Sequence, residues 1–125
     1  NVDGTGNDGA EIDVFESAWV DNFTKSVVHI DGYGASHKAN TRKYDTPGIH
    51  SGYHIYGLLW NENMLEVYYD GELKTRYQGI WVPQVEEFLW LSTGASFGGT
   101  ANFTSRSIGD FTEAKVDYIR VWRMD

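Results

Sequence analysis

Residues 64–69 and 73–78 both carry aromatic, β-branched and long apolar side chains, and Asp70-Gly71 stands between them. Asp-Gly tolerates the positive φ angles that a tight two-residue turn demands, so the stretch predicts an antiparallel hairpin. The same β-rich character recurs at residues 10–18, 26–31, 53–60, 88–93 and 115–122, and no segment of comparable length shows a helical period. The last of these alternates cleanly: Val116, Tyr118, Arg120 and Trp122 share one face, and Asp117, Ile119 and Val121 share the other. Asn61-Glu62-Asn63 reads as a short turn. Residues 32–52 and 94–109 read as long loops, and loops of that length in a compact β-domain are usually functional. Seven antiparallel strands in a chain of 125 residues predict one all-β domain over 1–125, an antiparallel β-sandwich or jelly roll.

Hydrophobic residues make up 41% and charged residues 22%, the proportions of a globular chain rather than a disordered one. The formal net charge of −8, with no basic patch, argues against a nucleic-acid partner and suits a neutral polymer. With no Cys there is neither a disulfide nor a thiolate metal site. The four His lack metal-ligand spacing. No apolar window is long enough for a transmembrane helix, so no membrane partner is expected. The opening Asn1-Val2-Asp3-Gly4 reads like the interior of a loop, as in a mature form, a trimmed chain or a fragment. Aromatics reach 15%, enough both to fill a core and to line a sugar-binding surface.

Chemistry concentrates in Glu11-Ile12-Asp13-Val14-Phe15-Glu16. Acids are depleted in strands, yet three occur here with apolar residues between them. On a regular strand Glu11 and Asp13 share a face and Glu16 points away. A β-bulge at Val14-Phe15 adds one residue and returns Glu16 to that face. Glu11 and Glu16 are then about four strand steps apart, roughly 13 Å between Cα atoms. Side chains leaning together bring the carboxyls to about 5–5.5 Å, the separation of a retaining glycosidase pair. In that reading Glu11 is the nucleophile, Glu16 the acid/base with the higher pKa, and Asp13 orients Glu11 from between them.

The run Asp8-Gly9-Ala10-Glu11-Ile12-Asp13-Val14-Phe15-Glu16 resembles the bulged catalytic signature of glycoside hydrolase family 16, the form of its laminarinases, agarases and carrageenases. Val28-His29, the stretch Tyr53-His54-Ile55-Tyr56-Gly57-Leu58-Leu59-Trp60, the hairpin at Asp70-Gly71 and the terminal Val116-Asp117-Tyr118-Ile119-Arg120-Val121-Trp122 are similar to that family in the same order. The resemblance implies a concanavalin-like jelly roll of which this chain is the C-terminal half. It implies a secreted, extracellular retaining endo-β-glycanase that takes a polysaccharide substrate, β-1,3- or mixed β-1,3/1,4-glucan, and requires no cofactor. The His29-Ile30-Asp31-Gly32-Tyr33-Gly34 segment is unlike many laminarinases and keeps a β-galactan substrate open, and a non-catalytic carbohydrate-binding module or an inactive half-domain stands as a further alternative.

Around the acids, His29 is expected to hydrogen-bond Glu16 or a sugar hydroxyl. Trp19, Tyr33, Trp81, Trp90 and Phe97 are candidate sugar platforms, Trp19 first because it directly follows the acid-bearing strand. His37 and His50 are candidate substrate contacts, His54 reads as structural, and Trp60 and Trp122 read as core. The resemblance also implies a structural calcium with Asp117 as one ligand. A half jelly roll leaves sheet edges and apolar faces uncovered, so the expected partner is a second copy, as a homo-oligomer, or a complementing N-terminal half.

Overall fold

The computed structural model describes residues 9–16, 22–92 and 114–123. The chain divides into two compact units, Asn1–Trp90 and Leu91–Asp125. The first unit holds strands β1 (Glu11–Glu16), β2 (Phe23–Ile30), β3 (Lys38–Asp45), β4 (Tyr56–Trp60), β5 (Met64–Tyr69) and β6 (Glu72–Gln78), followed by a 3-10 turn at Gly79–Trp81. They form two antiparallel three-stranded sheets, β1-β2-β3 and β4-β5-β6. The protein is all-β, as its alternation predicts.

The core lies between the sheets. Along β2 the alternate residues Thr24, Ser26 and Val28 are fully buried. From the facing sheet come Leu65, Val67, Tyr69 and Tyr77, with Tyr44 and Val82 completing the cluster. Burying each large apolar side chain contributes about 1.5–3 kcal/mol. A buried phenol needs a hydrogen-bond acceptor. Tyr77 finds one in the Ser26 carbonyl at 2.8 Å, a bond that spans the two sheets. Trp60 packs on the same cluster and donates its indole N–H to the Pro83 carbonyl at 3.0 Å, in keeping with a core role.

Both anticipated turns form. Asp70 and Gly71 have φ of 49° and 82°, the left-handed pair that a tight hairpin needs. The Asn61 side chain accepts from the backbone N–H groups of Asn63 and Met64 at 2.9 and 3.0 Å, closing the β4–β5 turn. The strand expected over 53–60 begins only at Tyr56, because the residues before it clasp the hairpin turn instead. Ile55 exchanges hydrogen bonds with Asp70, and His54 bridges the Asp70 carboxylate and the Gly48 carbonyl, each at 2.8 Å. Both of those partners are acceptors, so satisfying them together requires a doubly protonated ring. The bond to Asp70 accordingly raises the His54 pKa.

Three expectations are corrected. The loop read over 32–52 contains β3, an eight-residue strand of which only Tyr44 is buried. Polar on both faces and paired on one side, β3 carries the charges that suit a sheet edge and lacks the apolar alternation by which strands are recognised. Trp81 packs against the core cluster instead of standing free as a sugar platform. Residues 88–92 and 115–122 carry no strand; within the second unit Trp122, read as core, is 76% exposed. An alternating pattern becomes a strand only where a neighbour accepts its ladder hydrogen bonds. Thr93 lies outside the described residues.

Tyr77→Phe should lower stability by about 1–2 kcal/mol, by leaving the buried Ser26 carbonyl without its partner. Leu65→Ala should lower it by about 2–5 kcal/mol through the cavity it opens. Urea unfolding midpoints of the two variants against the parent measure both.

Candidate active site

The site is built on β1, an edge strand of the β1–β2–β3 sheet, against the central strand β2. Glu11 pairs with His29 and Asp13 with Val27, but Glu16 pairs with Lys25. Three steps along β1 therefore match two along β2, which is the one-residue bulge anticipated between Asp13 and Glu16. Because Lys25 and Val27 share a face of β2, Glu16 returns to the face of Glu11 and Asp13. Ile12 and Val14 point the other way and pack on the core. Phe15, the extra residue, sits against Tyr56 with ring centroids 4.3 Å apart.

A bulge disrupts the ladder locally. Two side chains bond its carbonyls: Tyr44 donates to the Val14 carbonyl at 3.0 Å, and Thr24 donates to the Glu16 carbonyl at 2.8 Å. These two braces escaped the sequence reading. The only available signal was a hydroxyl-bearing residue at each of two buried strand positions.

Three carboxyls on one face repel one another, and the strain falls on the middle one. Burial first, then the charges of Glu11 and Glu16 and a hydrogen bond with Glu11, push the Asp13 pKa up to about 7. In its protonated form, which is still substantially populated at neutral pH, Asp13 donates to Glu11. The Glu11 carboxylate receives a second donor, the Tyr33 hydroxyl.

His29 does not meet Glu16 as expected. Its position opposite Glu11 brings Nε2 to 3.5 Å from Asp13 Oδ2. Its Nδ1 lies 2.8 Å from His37 Nε2, the two rings nearly parallel at 8°. Burial lowers the His29 pKa, against the raising influence of Glu11, so the ring is neutral at physiological pH. Tyr33 is 63% exposed and stacks on His37 at 4.9 Å. One face of the expected sugar platform is therefore occupied by a histidine. His37, from the connection before β3, belongs to the site through His29.

Trp90 is 73% exposed and lies 5.9 Å from the Phe88 ring. Trp19 and Phe97 lie outside the described residues. Asp117, the expected calcium ligand, is exposed, and no group of three or more His, Cys, Asp or Glu able to hold a metal occurs among the described residues. The residues described do not assemble a calcium site around Asp117, and no step of the chemistry is assigned to a metal.

Over 75 residues, 60% of the chain, the sequence is 28% identical to the endo-1,3-1,4-beta-glycanase ExsH of Rhizobium meliloti (strain 1021), and that alignment covers 16% of the larger protein. The chain thus spans a small part of the curated relative it matches, and the relationship to a glycanase is distant. No family model matches the chain. No solved structure matches it.

The raised Asp13 pKa has a consequence for stability. The folded state holds the proton that the unfolded state releases above its ordinary value of 3.8. The Asp13 contribution is therefore complete below about pH 4 and is lost as pH rises toward about 7. Asp13→Asn, which cannot ionise, should match the parent near pH 4 and exceed it at pH 8. The gain should be on the order of 1–2 kcal/mol, below the full value of the shift because the side chain is 27% exposed and screened by solvent. Thermal unfolding of both proteins across that range provides the check.

Proposed function

We propose that this chain carries the reaction centre of a retaining endo-β-glycanase of the glycoside hydrolase family 16 type, acting on β-1,3- or mixed β-1,3/1,4-glucan outside the cell. The observation that carries the reading is the bulge, which sets Glu11, Asp13 and Glu16 on one face with a protonated carboxyl between the outer two. The distant similarity to a named glycanase supports it.

In this mechanism Glu11 attacks the anomeric carbon while Glu16 donates its proton to the departing glycosidic oxygen. The bond from sugar to leaving group breaks as the bond from sugar to Glu11 forms. Glu16, now a carboxylate, takes a proton from water, whose oxygen displaces Glu11 and restores the enzyme with the original anomeric configuration. Asp13 in its protonated form donates a hydrogen bond to Glu11 and keeps a second negative charge off the face. The Tyr33 hydroxyl donates to the same carboxylate, which fixes its direction before sugar arrives.

The exposed Phe88 and Trp90 rings favour a second reading, a module that binds glycan by stacking without turnover. Reducing-sugar release from laminarin, barley β-glucan and β-galactan separates the two. The catalytic reading expects turnover on one of the glucans and a fall of about 10³-fold or more in Glu11→Gln. Binding without turnover, equal in parent and variant, supports the module; turnover on β-galactan alone moves the substrate within the same mechanism.

A further inference from the structure

We propose that His37 is a positioning residue for Asp13, acting through His29: the stacked histidine pair sets the tautomer that His29 presents to the Asp13 carboxyl. The catalytic meaning of this pairing rests on the glycanase reading, while the pairing itself stands on geometry. A neutral imidazole carries a single N–H. Between His29 Nδ1 and His37 Nε2, 2.8 Å apart, only one nitrogen can donate.

Two arrangements satisfy the row. In the first, His29 Nδ1–H donates to His37 Nε2, and the bare His29 Nε2 faces Asp13 as an acceptor, matching a protonated carboxyl. In the second, His37 Nε2–H donates to His29 Nδ1, and His29 Nε2–H faces Asp13 as a donor, matching a carboxylate. The first holds protons on Asp13, His29 Nδ1 and His37 Nδ1; the second holds them on His29 Nε2 and His37 Nε2. They differ by one proton, which passes to solvent as Asp13 becomes charged. The Asp13–His29 separation of 3.5 Å is long for a hydrogen bond but short for a charge to choose between a donor and a lone pair.

The surroundings hold the row in place. The His37 backbone N–H donates to the Gly34 carbonyl at 3.1 Å, and the Tyr33 ring stacks on His37 at 4.9 Å and lies tilted against His29 at 5.4 Å. The titratable groups around Asp13 are Glu11 and Glu16 on β1, Lys25 on β2 opposite Glu16, and Lys43 on β3 opposite Lys25. Tyr77 of β6, near Arg42, also feels the Asp13 charge. Among all of these, the histidine pair is the part that can reverse its hydrogen-bond direction without moving a heavy atom.

The test is nitrogen NMR of the full chain, reading both ring nitrogens of each histidine from about pH 5 to about pH 9, since the two shifts together separate a tautomer change from protonation. As Asp13 ionises, with its midpoint at about 7, His29 should pass from the Nδ1–H to the Nε2–H form and His37 Nε2 should change from acceptor to donor with it. In Asp13→Asn both changes should disappear. In His37→Phe, which keeps a ring under Tyr33 but no nitrogen, the His29 midpoint should move away from that of the parent. A single fixed tautomer for His37 across the range, or a change that survives Asp13→Asn, overturns the proposal. The readout needs no turnover. An inactive chain with coupled tautomers refutes the enzyme reading alone, and an active chain with fixed tautomers refutes this proposal alone.

Discussion

The extra residue between Asp13 and Glu16 governs what this molecule can do. Without it, Glu16 would share the core-facing side of β1 with Ile12 and Val14, where an unpaired carboxylate is costly. With it, the apolar residues stay inside and three acids stand outside. The bulge is held by the Tyr44 and Thr24 hydroxyls on its carbonyls. Tyr44 comes from the edge strand and Thr24 from the central one. The register of the whole sheet is therefore needed to aim a single side chain.

Electrostatics follows from that aim. A row of three ionised carboxylates on a half-buried face is unfavourable, and the row relaxes by keeping a proton on its most enclosed member. The neighbourhood then supplies neutral partners instead of countercharges: the Tyr33 hydroxyl donating to Glu11, and a neutral histidine beside Asp13. Such an arrangement limits repulsion along the strand.

Much of this was legible in the sequence because it depended on parity or on turn chemistry. The period of two along β1, broken once, predicts the bulge from spacing alone. Asp70-Gly71 and Asn61 announce their turns because few other residues serve there. What escaped depended on contacts between distant residues. The β3 strand is polar because it is an edge, so it has no apolar rhythm to read. Tyr44 reaches Val14 across thirty positions, and no local pattern marks it as a brace. The nearness of His29 to Asp13, at 3.5 Å, where Glu16 or a sugar hydroxyl is the expected contact, follows from a register that pairs it with Glu11. Residues 115–122 alternate as a strand would, yet alternation describes a side-chain pattern and not the presence of a partner.

The acid-bearing face shares its backbone with the least accessible part of the molecule. Val27 sits between Ser26 and Val28, and His29 directly follows Val28, on the strand that bears the fully buried Thr24, Ser26 and Val28. A fluctuation of β2 that tilts the acid-bearing face therefore also acts on the inter-sheet core, so this face draws on the stable end of the molecule. Sites carried on loops adapt their shape to a ligand while the scaffold stays closed, but this one exchanges that latitude for persistence. Adjustment of shape is left to the margins, to connections such as the one between β2 and β3 that bears Tyr33 and His37.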